Sequence, residues 1–209
     1  MPALRPPPSP PVVLTFAASD PTGGAGIQAD LMALSALGCH ALSVLTAFTV
    51  QDTVGVHGFV AIDPQWVDRQ ARALLADIAV DAFKIGLIGS AENAEVIAGI
   101  VADYPQLPLV FDPVLASGRG DVLADAALIA AMRQLLLPRT TVLTPNSLEA
   151  RALAGAGDLP LAECACRLLA CGCAHVLLTG THEDTPQVIN DLYSAAGRVR
   201  SDRRRCTGR

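Results

Sequence analysis

A glycine-rich turn near the start of the chain is the feature that most constrains the fold. It separates a strand-like run, Val12 to Ala17, from a helical pattern that begins at Ile27, and it reads Ser19-Asp20-Pro21-Thr22-Gly23-Gly24-Ala25-Gly26. Glycines let the backbone approach a small molecule where a Cβ would collide, and a helix start offers unpaired N–H groups that favour anions or polar acceptors. The sequence therefore predicts a ligand site at this turn, with the carboxylates of Asp20 and Asp30 on either side of it.

Two familiar phosphate-binding motifs can be compared with this turn. Gly24-x-Gly26-x-x-Ala29 formally satisfies the dinucleotide fingerprint between a strand and a helix. Asp20 and Pro21 would, however, place an acid and a rigid turn beside the pyrophosphate, and no suitable acidic residue follows about twenty positions later. A P-loop is excluded because no Gly-Lys-Ser/Thr sequence follows the glycines. A turn that only connects two elements stays an alternative.

Length and composition indicate a single domain. The chain has 209 residues, of which 51% are hydrophobic, and a net charge of −5. No uninterrupted apolar stretch reaches the roughly 18 to 20 residues that cross a bilayer, and the acidic charge argues against nucleic acid as the main partner. We expect the proline-rich residues 1–11 to form a disordered leader rather than a signal peptide, which favours a cytoplasmic location.

The cysteines raise the question of a metal site. Cys164-x-Cys166 and Cys171-x-Cys173 have the spacing of chelating pairs, so structural zinc is one alternative. Cys164 and Cys166 fall, however, in an apolar helical pattern, where residues two apart point to nearly opposite sides. The pattern therefore favours buried free thiols in a reducing compartment.

Apolar runs alternate with helical patterns, and this alternation indicates the fold class. Strands are predicted at Val12–Ala17, Ala41–Val50, Ala82–Ile88, Leu109–Phe111, Thr141–Leu143 and His175–Leu178. Helices are predicted from Ile27, over Trp66–Ile78, from Ser90 to Val101, over Ala124–Leu136, from Ser147, and over Leu161–Cys171. Repeated β-α units with buried strands predict an α/β protein with a mainly parallel central sheet in a three-layer αβα arrangement.

Polar residues follow several of these strands, at the edge where parallel sheets bind ligands. They are Asp20, Gln51, Asp112, Asn146 with Glu149, and Thr179 with Gly180. Asn146 and Glu149 lie three apart at a helix start, so they share one face and could hold a hydrated Mg²⁺ and nucleotide phosphates. The same spacing is also that of an ordinary capping box, and the residues alone leave both interpretations open.

The chain resembles one family in a series of ordered blocks. It is similar to the hydroxymethylpyrimidine and phosphomethylpyrimidine kinases of thiamine biosynthesis, within the ribokinase-like superfamily, in FAASDPTGGAGIQADLMALSALG, LTAFTVQDT, KIGLIGS, VFDPVLASG, TPNSLEA and VLLTGTH. The resemblance extends from about Val12 to Tyr193. It implies a ribokinase-like fold and transfer of the γ-phosphoryl group of ATP to 4-amino-5-hydroxymethyl-2-methylpyrimidine, and then to its monophosphate.

The resemblance also implies which residues bind. Gln51 matches the pyrimidine-binding glutamine, and its carboxamide offers the donor and acceptor that complement an aminopyrimidine edge. The other expected substrate contacts are apolar walls, turn residues and two carboxylates near the hydroxyl: Ala18, Gly24, Ala25, Val50, Leu87, Val114, Asp20 and Asp30. The expected contacts to ATP and Mg²⁺ are Asn146, Glu149, Thr179 and Gly180, with Glu149 and Asp112 as the metal-binding carboxylates.

Three residues keep a second interpretation, and a fourth departs from the family pattern. Asp30 could be a solvated helix carboxylate instead of a substrate contact. Many members of the family carry a lysine where Thr179 lies, so one charged phosphate contact is missing. Lys84, the only lysine in the sequence, fits either a structural ion pair or catalysis, and His182 fits either an incidental loop residue or a general base.

The last motif of the superfamily, Gly-x-Gly followed by Cys or Asp at a helix start, is absent from the predicted helix starts. Because its N–H groups would stabilise the migrating phosphoryl group, its loss predicts low turnover, and no catalytic residue is identified. The sequence becomes arginine-rich near its end, which suggests that a frameshift or an incomplete gene left the fold incomplete at the C-terminus. We accordingly expect a kinase domain over 12–197 and a basic tail outside the family over 198–209. Reading the other two frames of the coding DNA would test this.

Three functional hypotheses follow. A pyrimidine kinase is favoured, a pyridoxine or pyridoxal kinase of the same superfamily is the second, and a non-catalytic ligand-binding remnant is the third. The family also suggests a homodimer, whereas no nucleic-acid or membrane partner is expected.

Overall fold

The computed structural model describes residues 9–205 except Ala156, Thr181 and Asp184. Most of the expected leader, residues 1–8, and the end of the expected basic tail, residues 206–209, lie outside the described residues. Within the described range, no helix is both long enough and apolar enough to cross a membrane.

A central eight-stranded sheet and a separate hairpin contain the strands. In chain order they are β1 (Val12–Ala17), β2 (His40–Leu45), β3 (Ala47–Gln51), β4 (Val56–Ala61), β5 (Ala82–Ile85), β6 (Leu109–Phe111), β7 (Val142–Leu143), β8 (His175–Thr179), β9 (Gln187–Ser194) and β10 (Gly197–Arg205). The sheet has the order β10-β9-β8-β7-β6-β5-β1-β2, and β3 pairs only with β4. Neighbours from β2 to β8 pair in parallel, whereas β8, β9 and β10 pair antiparallel. The predicted α/β class with a mainly parallel sheet is confirmed.

The strand order reverses at β1, and this reversal creates a site for a ligand. The chain passes from β1 to β2 on one side and later returns to β5 on the other side of β1. Because crossovers between parallel strands are right-handed, these two opposite movements place their connecting helices on opposite faces of the sheet. Open sheets bind ligands in the crevice at such a switch point, beyond the carboxyl ends of the strands.

Six α-helices lie in the described part of the chain. They are α1 (Gly26–Ala36), α2 (Pro64–Asp77), α3 (Ala91–Ala102), α4 (Ala126–Ala131), α5 (Ser147–Ala154) and α6 (Leu161–Ala170). The predicted start after Ser90 is confirmed, because the Ser90 side chain accepts the backbone N–H of Asn93. The single helix predicted over Ala124–Leu136 is divided, since α4 gives way to a π-helical segment at Met132.

The single strand predicted over Ala41–Val50 is wrong, because the chain turns out of the sheet at Thr46. The backbone N–H of Thr46 donates to the carbonyl of Ala17, and its hydroxyl donates to the carbonyl of Leu87 at 2.5 Å. Thr46 is thereby held between the ends of β1 and β5. From Ala47 the chain continues as the antiparallel β3–β4 hairpin, of which the sequence pattern predicts no second strand.

A buried asparagine fixes the base of this hairpin. The side-chain nitrogen of Asn93, on α3, lies 3.2 Å from each of three backbone carbonyls, those of Thr46, Ile62 and Ile88. These carbonyls belong to the segment that enters the hairpin, the segment that leaves it and the segment that follows β5. One amide therefore connects three separate parts of the chain.

The main core lies between the sheet and its helices and includes Phe16, Phe83 and Phe111, which are fully buried on β1, β5 and β6. Cys173 is also buried, and burial raises the pKa of its thiol to about 12. Cys166 is exposed. Among the described residues, no group of three or more His, Cys, Asp or Glu side chains is placed to hold a metal ion.

Residues 198–205 continue the sheet, which differs from the separate basic tail that we expected. β10 pairs with β9 from Gly197 opposite Ser194 to Arg205 opposite Gln187. The sequence pattern does not predict these two strands, because charged and polar residues interrupt their apolar alternation.

Candidate functional site

A first cavity, of about 330 Å³, opens at the switch point between β1 and β5. Its walls come from the ends of these strands, the glycine turn, the β3–β4 hairpin and the segment after β6. The structure thus brings the glutamine at position 51 and the glycine turn to one shared cavity. The predicted substrate residues that line it are Ala18, Asp20, Ala25, Asp30, Gln51, Leu87 and Val114.

Two predicted substrate contacts lie away from this cavity. Thr49 and Gln51 line it, but Val50 between them is 67% exposed, because side chains alternate between the two faces of a strand. Gly24 is not in the lining either, and its N–H donates to the Thr22 hydroxyl within the turn. Neither of these two residues lines the first cavity.

Asp20 orders the glycine turn from within. Its buried carboxylate accepts the N–H of Thr22 at 2.9 Å and the N–H of Ala25 at 2.8 Å. Gly26 has a φ of +58°, and a Cβ at this position would collide with the carbonyl of Ala18. The turn is therefore shaped by its own hydrogen bonds, and Asp20 positions the backbone around the cavity.

The β3–β4 hairpin covers the turn and presents Gln51. The Thr49 hydroxyl donates to the carbonyl of Ser19 at 2.7 Å, which joins the hairpin to the glycine turn. Gln51 is half-buried, and its side-chain amide has no hydrogen-bond partner among the residues that the structure describes. Both its donor and its acceptor are therefore free for a ligand in the first cavity.

Lys84 and Asp30 form an ion pair in the wall of the first cavity. The Lys84 Nζ lies 2.9 Å from Asp30 Oδ2, which also accepts the Thr15 hydroxyl at 2.7 Å. Lys84 thus forms an ion pair, and Asp30 is a paired and largely buried carboxylate. Burial raises the pKa of the neighbouring Asp112 carboxyl, while the positive charge of Lys84 acts in the opposite direction.

A second cavity, of about 290 Å³, adjoins the first. Ala116, Ser117 and Gly118 line both cavities, and we call the segment Ala116–Asp121 the junction loop. The other residues that line the second cavity are Leu115, Arg119, Gly120, Asn146, Leu148, Glu149, Ala152 and His182. The predicted nucleotide residues Asn146 and Glu149 thus lie next to the predicted substrate cavity.

Asn146 and Glu149 form the capping box of α5. Asn146 Oδ1 accepts the N–H groups of Leu148 and Glu149 at 2.9 Å, and Glu149 Oε2 accepts the N–H of Asn146 at 2.8 Å. Glu149 is only 7% exposed. Burial, assisted by the nearby charge of Asp112, raises the pKa of the Glu149 carboxyl to about 7.

The carboxyl groups of Asp112 and Glu149 are the donors here that fit a divalent cation. Burial disfavours the charged form of each, and their proximity adds repulsion, so a cation beside them would stabilise both ionised forms. Mg²⁺ is commonly bound through one or two carboxylates, while water and phosphate oxygens complete its coordination. The donor set therefore fits Mg²⁺ that is bound together with a phosphate ligand.

Thr179 and Gly180 lie at the end of β8, beside this region. Thr179 forms a parallel bridge with Asn146, and its N–H donates to the carbonyl of Pro145 at 2.9 Å. Gly180 lies so close to β9 that a Cβ would collide with the carbonyl of Ile189. It lines a third cavity, of about 170 Å³, and not the second one. His182, by contrast, does line the second cavity.

The junction loop is the part of the site that sequence reasoning missed. Its Ser117 hydroxyl donates to Asp121 at 2.6 Å, and the Arg119 guanidinium donates to the carbonyl of Val54 in the β3–β4 turn at 3.2 Å. The signal in the sequence is a pair of glycines around Arg119, shortly after the predicted strand that ends at Phe111.

Comparison with known sequences identifies a family. The family model described as phosphomethylpyrimidine kinase matches residues 20–207, a range that includes β9 and β10. The hydroxymethylpyrimidine/phosphomethylpyrimidine kinase of Escherichia coli (strain K12) is 38% identical over 191 residues, which cover 90% of this chain and 72% of that protein.

Solved structures give the same fold. The crystal structure of phosphomethylpyrimidine kinase from Clostridium difficile 630 has a TM-score of 0.83 and 31% identity, with 95% of this chain and 85% of that chain covered. The ADP complex of Bacillus subtilis pyridoxal kinase has a TM-score of 0.85 and 27% identity, with 96% of this chain and 77% of that chain covered.

Proposed function

The chain belongs to the phosphomethylpyrimidine kinase family of phosphotransferases, and on this premise we propose its substrates and the roles of its residues. The acceptors are 4-amino-5-hydroxymethyl-2-methylpyrimidine and its monophosphate, in thiamine biosynthesis, and ATP is the phosphoryl donor. A cytoplasmic location and a homodimer stay predictions from the sequence.

The observation that carries the choice of substrate is the position of Gln51. Its free carboxamide lies in the wall of a cavity that the glycine turn also lines. An aminopyrimidine presents a ring acceptor nitrogen beside an NH₂ donor, and a carboxamide has the complementary donor and acceptor. Ala18, Leu87 and Val114 supply apolar surface for the ring and its methyl group.

The two adjoining cavities support a direct transfer between bound substrates. The hydroxymethyl oxygen in the first cavity attacks the γ-phosphorus of a nucleotide in the second. The bond from that phosphorus to the β–γ bridging oxygen breaks to release ADP, and the hydroxyl proton passes to water. In the second transfer a phosphate oxygen of the monophosphate is the nucleophile. The protein's role in such reactions is mainly to position the two substrates and to stabilise charge.

Asp112 and Glu149 are the residues that would hold Mg²⁺. The ion would supply positive charge that neutralises the phosphate oxygens. Asn146 acts on this site by fixing the first turn of α5, so that the Glu149 carboxyl lies against the second cavity. Lys84 and Asp30, being paired to each other, fix the wall of the first cavity.

Titration calorimetry with the pyrimidine alcohol and with pyridoxal tests the proposal. We expect the wild-type chain to bind the alcohol more tightly, and Gln51→Leu to weaken that binding by about tenfold to a hundredfold, because one paired polar contact is lost. Val50→Ala, on the opposite face of β3, is the matched control and should leave the affinity unchanged.

Pyridoxal kinase is the second candidate function, because the Bacillus subtilis pyridoxal kinase shares the fold so closely. Tighter binding of pyridoxal than of the pyrimidine alcohol would favour it and reject our assignment. A coupled assay of ADP release then separates a kinase from a ligand-binding protein, since binding of the alcohol without ADP release would indicate binding alone.

A further inference from the structure

The second cavity contains one arginine or lysine among its described lining residues, and that residue is Arg119. It lies on the junction loop, which also lines the first cavity through Ala116, Ser117 and Gly118. Its side chain is exposed, whereas Lys84, the cation of the first cavity, is paired with Asp30. Arg119 is therefore the cation that can respond to a ligand where the two cavities meet.

The capping box at the start of α5 is already engaged in hydrogen bonds within the protein. In the capping box the N–H groups of Leu148 and Glu149 donate to the Asn146 side chain, and the N–H of Asn146 donates to the Glu149 side chain. Both side chains of the box act as acceptors in it, and Glu149 would repel a phosphate when it is ionised. The first turn of α5 is thus a poor anion site by itself, although helix N-termini commonly bind anions.

Arg119 has donors to spare. Its guanidinium gives one hydrogen bond, to the carbonyl of Val54 at 3.2 Å, and its charge contributes to lowering the pKa of the adjacent Asp121 carboxyl, after the hydrogen bonds from Ser117 and Val56. A guanidinium has five N–H donors and favours bidentate contacts with phosphate oxygens. Exchanging one backbone carbonyl for a phosphate would cost little, because that carbonyl can be hydrated at the surface.

We propose that Arg119 is a phosphate-binding residue that contacts phosphoryl oxygens where the first and second cavities meet. The proposal rests on the proposed function for the identity of the ligands. Two ligands share this chemistry: the terminal phosphates of ATP, and the phosphate group of the pyrimidine monophosphate. The pyrimidine alcohol lacks a phosphate, so Arg119 distinguishes the substrate of the second transfer from that of the first if the monophosphate is the ligand.

Calorimetric titrations of wild type, Arg119→Gln and Arg119→Lys test this. The probes are a non-hydrolysable ATP analogue, the pyrimidine monophosphate and the pyrimidine alcohol. We expect Arg119→Gln to weaken the binding of a phosphate-bearing probe by about tenfold to a hundredfold, and the binding of the alcohol by less than about twofold. Arg119→Lys should recover part of the loss, because it keeps the charge but not the bidentate geometry. The probe that weakens identifies the source of the phosphate.

Arg139→Gln is the matched control. Arg139 is likewise exposed and donates to one backbone carbonyl, that of Leu135 at 3.0 Å, but it lies away from both cavities. Equal losses in the two variants would overturn the proposal. So would an unchanged affinity for both phosphate-bearing probes, or an equal loss for the alcohol, which would mean that Arg119 acts on the hairpin and not on phosphate.

Tripolyphosphate separates this proposal from the proposed function. If wild type binds neither the alcohol nor the monophosphate, the pyrimidine assignment fails, and Arg119 is judged on tripolyphosphate alone. Weaker binding of that anion by Arg119→Gln than by Arg139→Gln would support the phosphate role. Equal or absent binding of tripolyphosphate by wild type and Arg119→Gln would then overturn it.

Discussion

The two adjoining cavities are built in different ways. The first is enclosed by polar groups that bond to each other, in the glycine turn around Asp20 and in the pair of Lys84 with Asp30. The second is bounded by an exposed loop and by a carboxyl, Glu149, whose burial is not compensated by a cation. On the proposed function, this contrast predicts that the first cavity is preformed for its ligand, and that the second is completed only when a nucleotide and a cation bind.

The largest expected effect tests whether the first cavity depends on the close approach at the glycine turn. Gly26→Ala places a Cβ against the carbonyl of Ala18 and forces a side chain into a positive φ. We expect it to lower the free energy of unfolding by about 3 kcal/mol or more. Urea denaturation measures this.

Gly38→Ala is the control for the backbone conformation. Gly38 has a φ of +77°, but a Cβ there would meet nothing within 4 Å. Its substitution should lower the free energy of unfolding by only about 1 kcal/mol, because the sole cost is that of an alanine in the left-handed conformation. If both variants lose the same stability, the tight approach to Ala18 contributes nothing and the first cavity is not as closely built as the contrast requires.

The next effect tests the ion pair of the first cavity. Lys84→Met keeps most of the side-chain volume but leaves the Asp30 carboxylate largely buried without its partner. We expect a loss of about 2 to 4 kcal/mol in the free energy of unfolding, because an uncompensated buried charge is costly. Arg167→Met breaks the exposed pair with Glu163 and should cost less than about 0.5 kcal/mol. If the two variants lose similar stability, the Lys84–Asp30 pair in the cavity wall contributes no more than an exposed ion pair.

The smallest expected effect is a change in the pH dependence of stability, and it tests the Glu149 carboxyl in the second cavity. Because the folded-state pKa of Glu149 is raised to about 7, the folded protein holds a proton that the unfolded chain releases near pH 4.5. The contribution of this group to stability therefore falls as pH rises from about 4.5 to about 7. Glu149→Gln should reduce this fall by roughly 1 to 3 kcal/mol, measured by urea denaturation at pH 5 and pH 8.

Magnesium provides the second measurement on the same pair of proteins. Burial also raises the pKa of Asp112, whose charge acts on Glu149, so Asp112 keeps part of the pH dependence of stability in the variant. Mg²⁺ with a non-hydrolysable ATP analogue at pH 8 should stabilise wild type more than Glu149→Gln. An equal response would show that the Glu149 carboxyl does not take part in cation binding.

Local signals in the sequence predicted much of the fold. β1 and β6 have the predicted bounds, because short apolar runs define these strands. α5 begins at the predicted Ser147, because Asn146 is a clear capping residue. The turn at Thr46 could not be predicted, since its cause is a pair of bonds to Ala17 and Leu87 that only the folded sheet brings near. Val50 does not line the first cavity, because it lies on the opposite face of β3 from Thr49 and Gln51.

The candidate site was predictable only where strand ends carry polar residues. Asp112 follows β6 and Glu149 lies in the helix after β7, so the topology of the parallel sheet brings them to one edge. Gln51 reaches the first cavity on the separate β3–β4 hairpin. The pairing of Lys84 with Asp30 joins residues 54 positions apart, and the sequence left it as one of two alternatives. The glycines around Arg119 mark the junction loop in the sequence, but the packing of this loop against the β3–β4 turn has no local sequence signal.

The position of the β3–β4 hairpin depends on a single buried side chain, the amide of Asn93. Gln51 is carried by a two-stranded element that pairs with no strand of the central sheet, and the Asn93 amide binds that element at both its entrance and its exit. Shortening this buried side chain to alanine would release both crossings together, so ligand recognition should weaken through misalignment of the hairpin, without any change to a residue that lines the first cavity. A search for resistance or loss-of-function substitutions in this fold should therefore include helix α3 as well as the cavity walls.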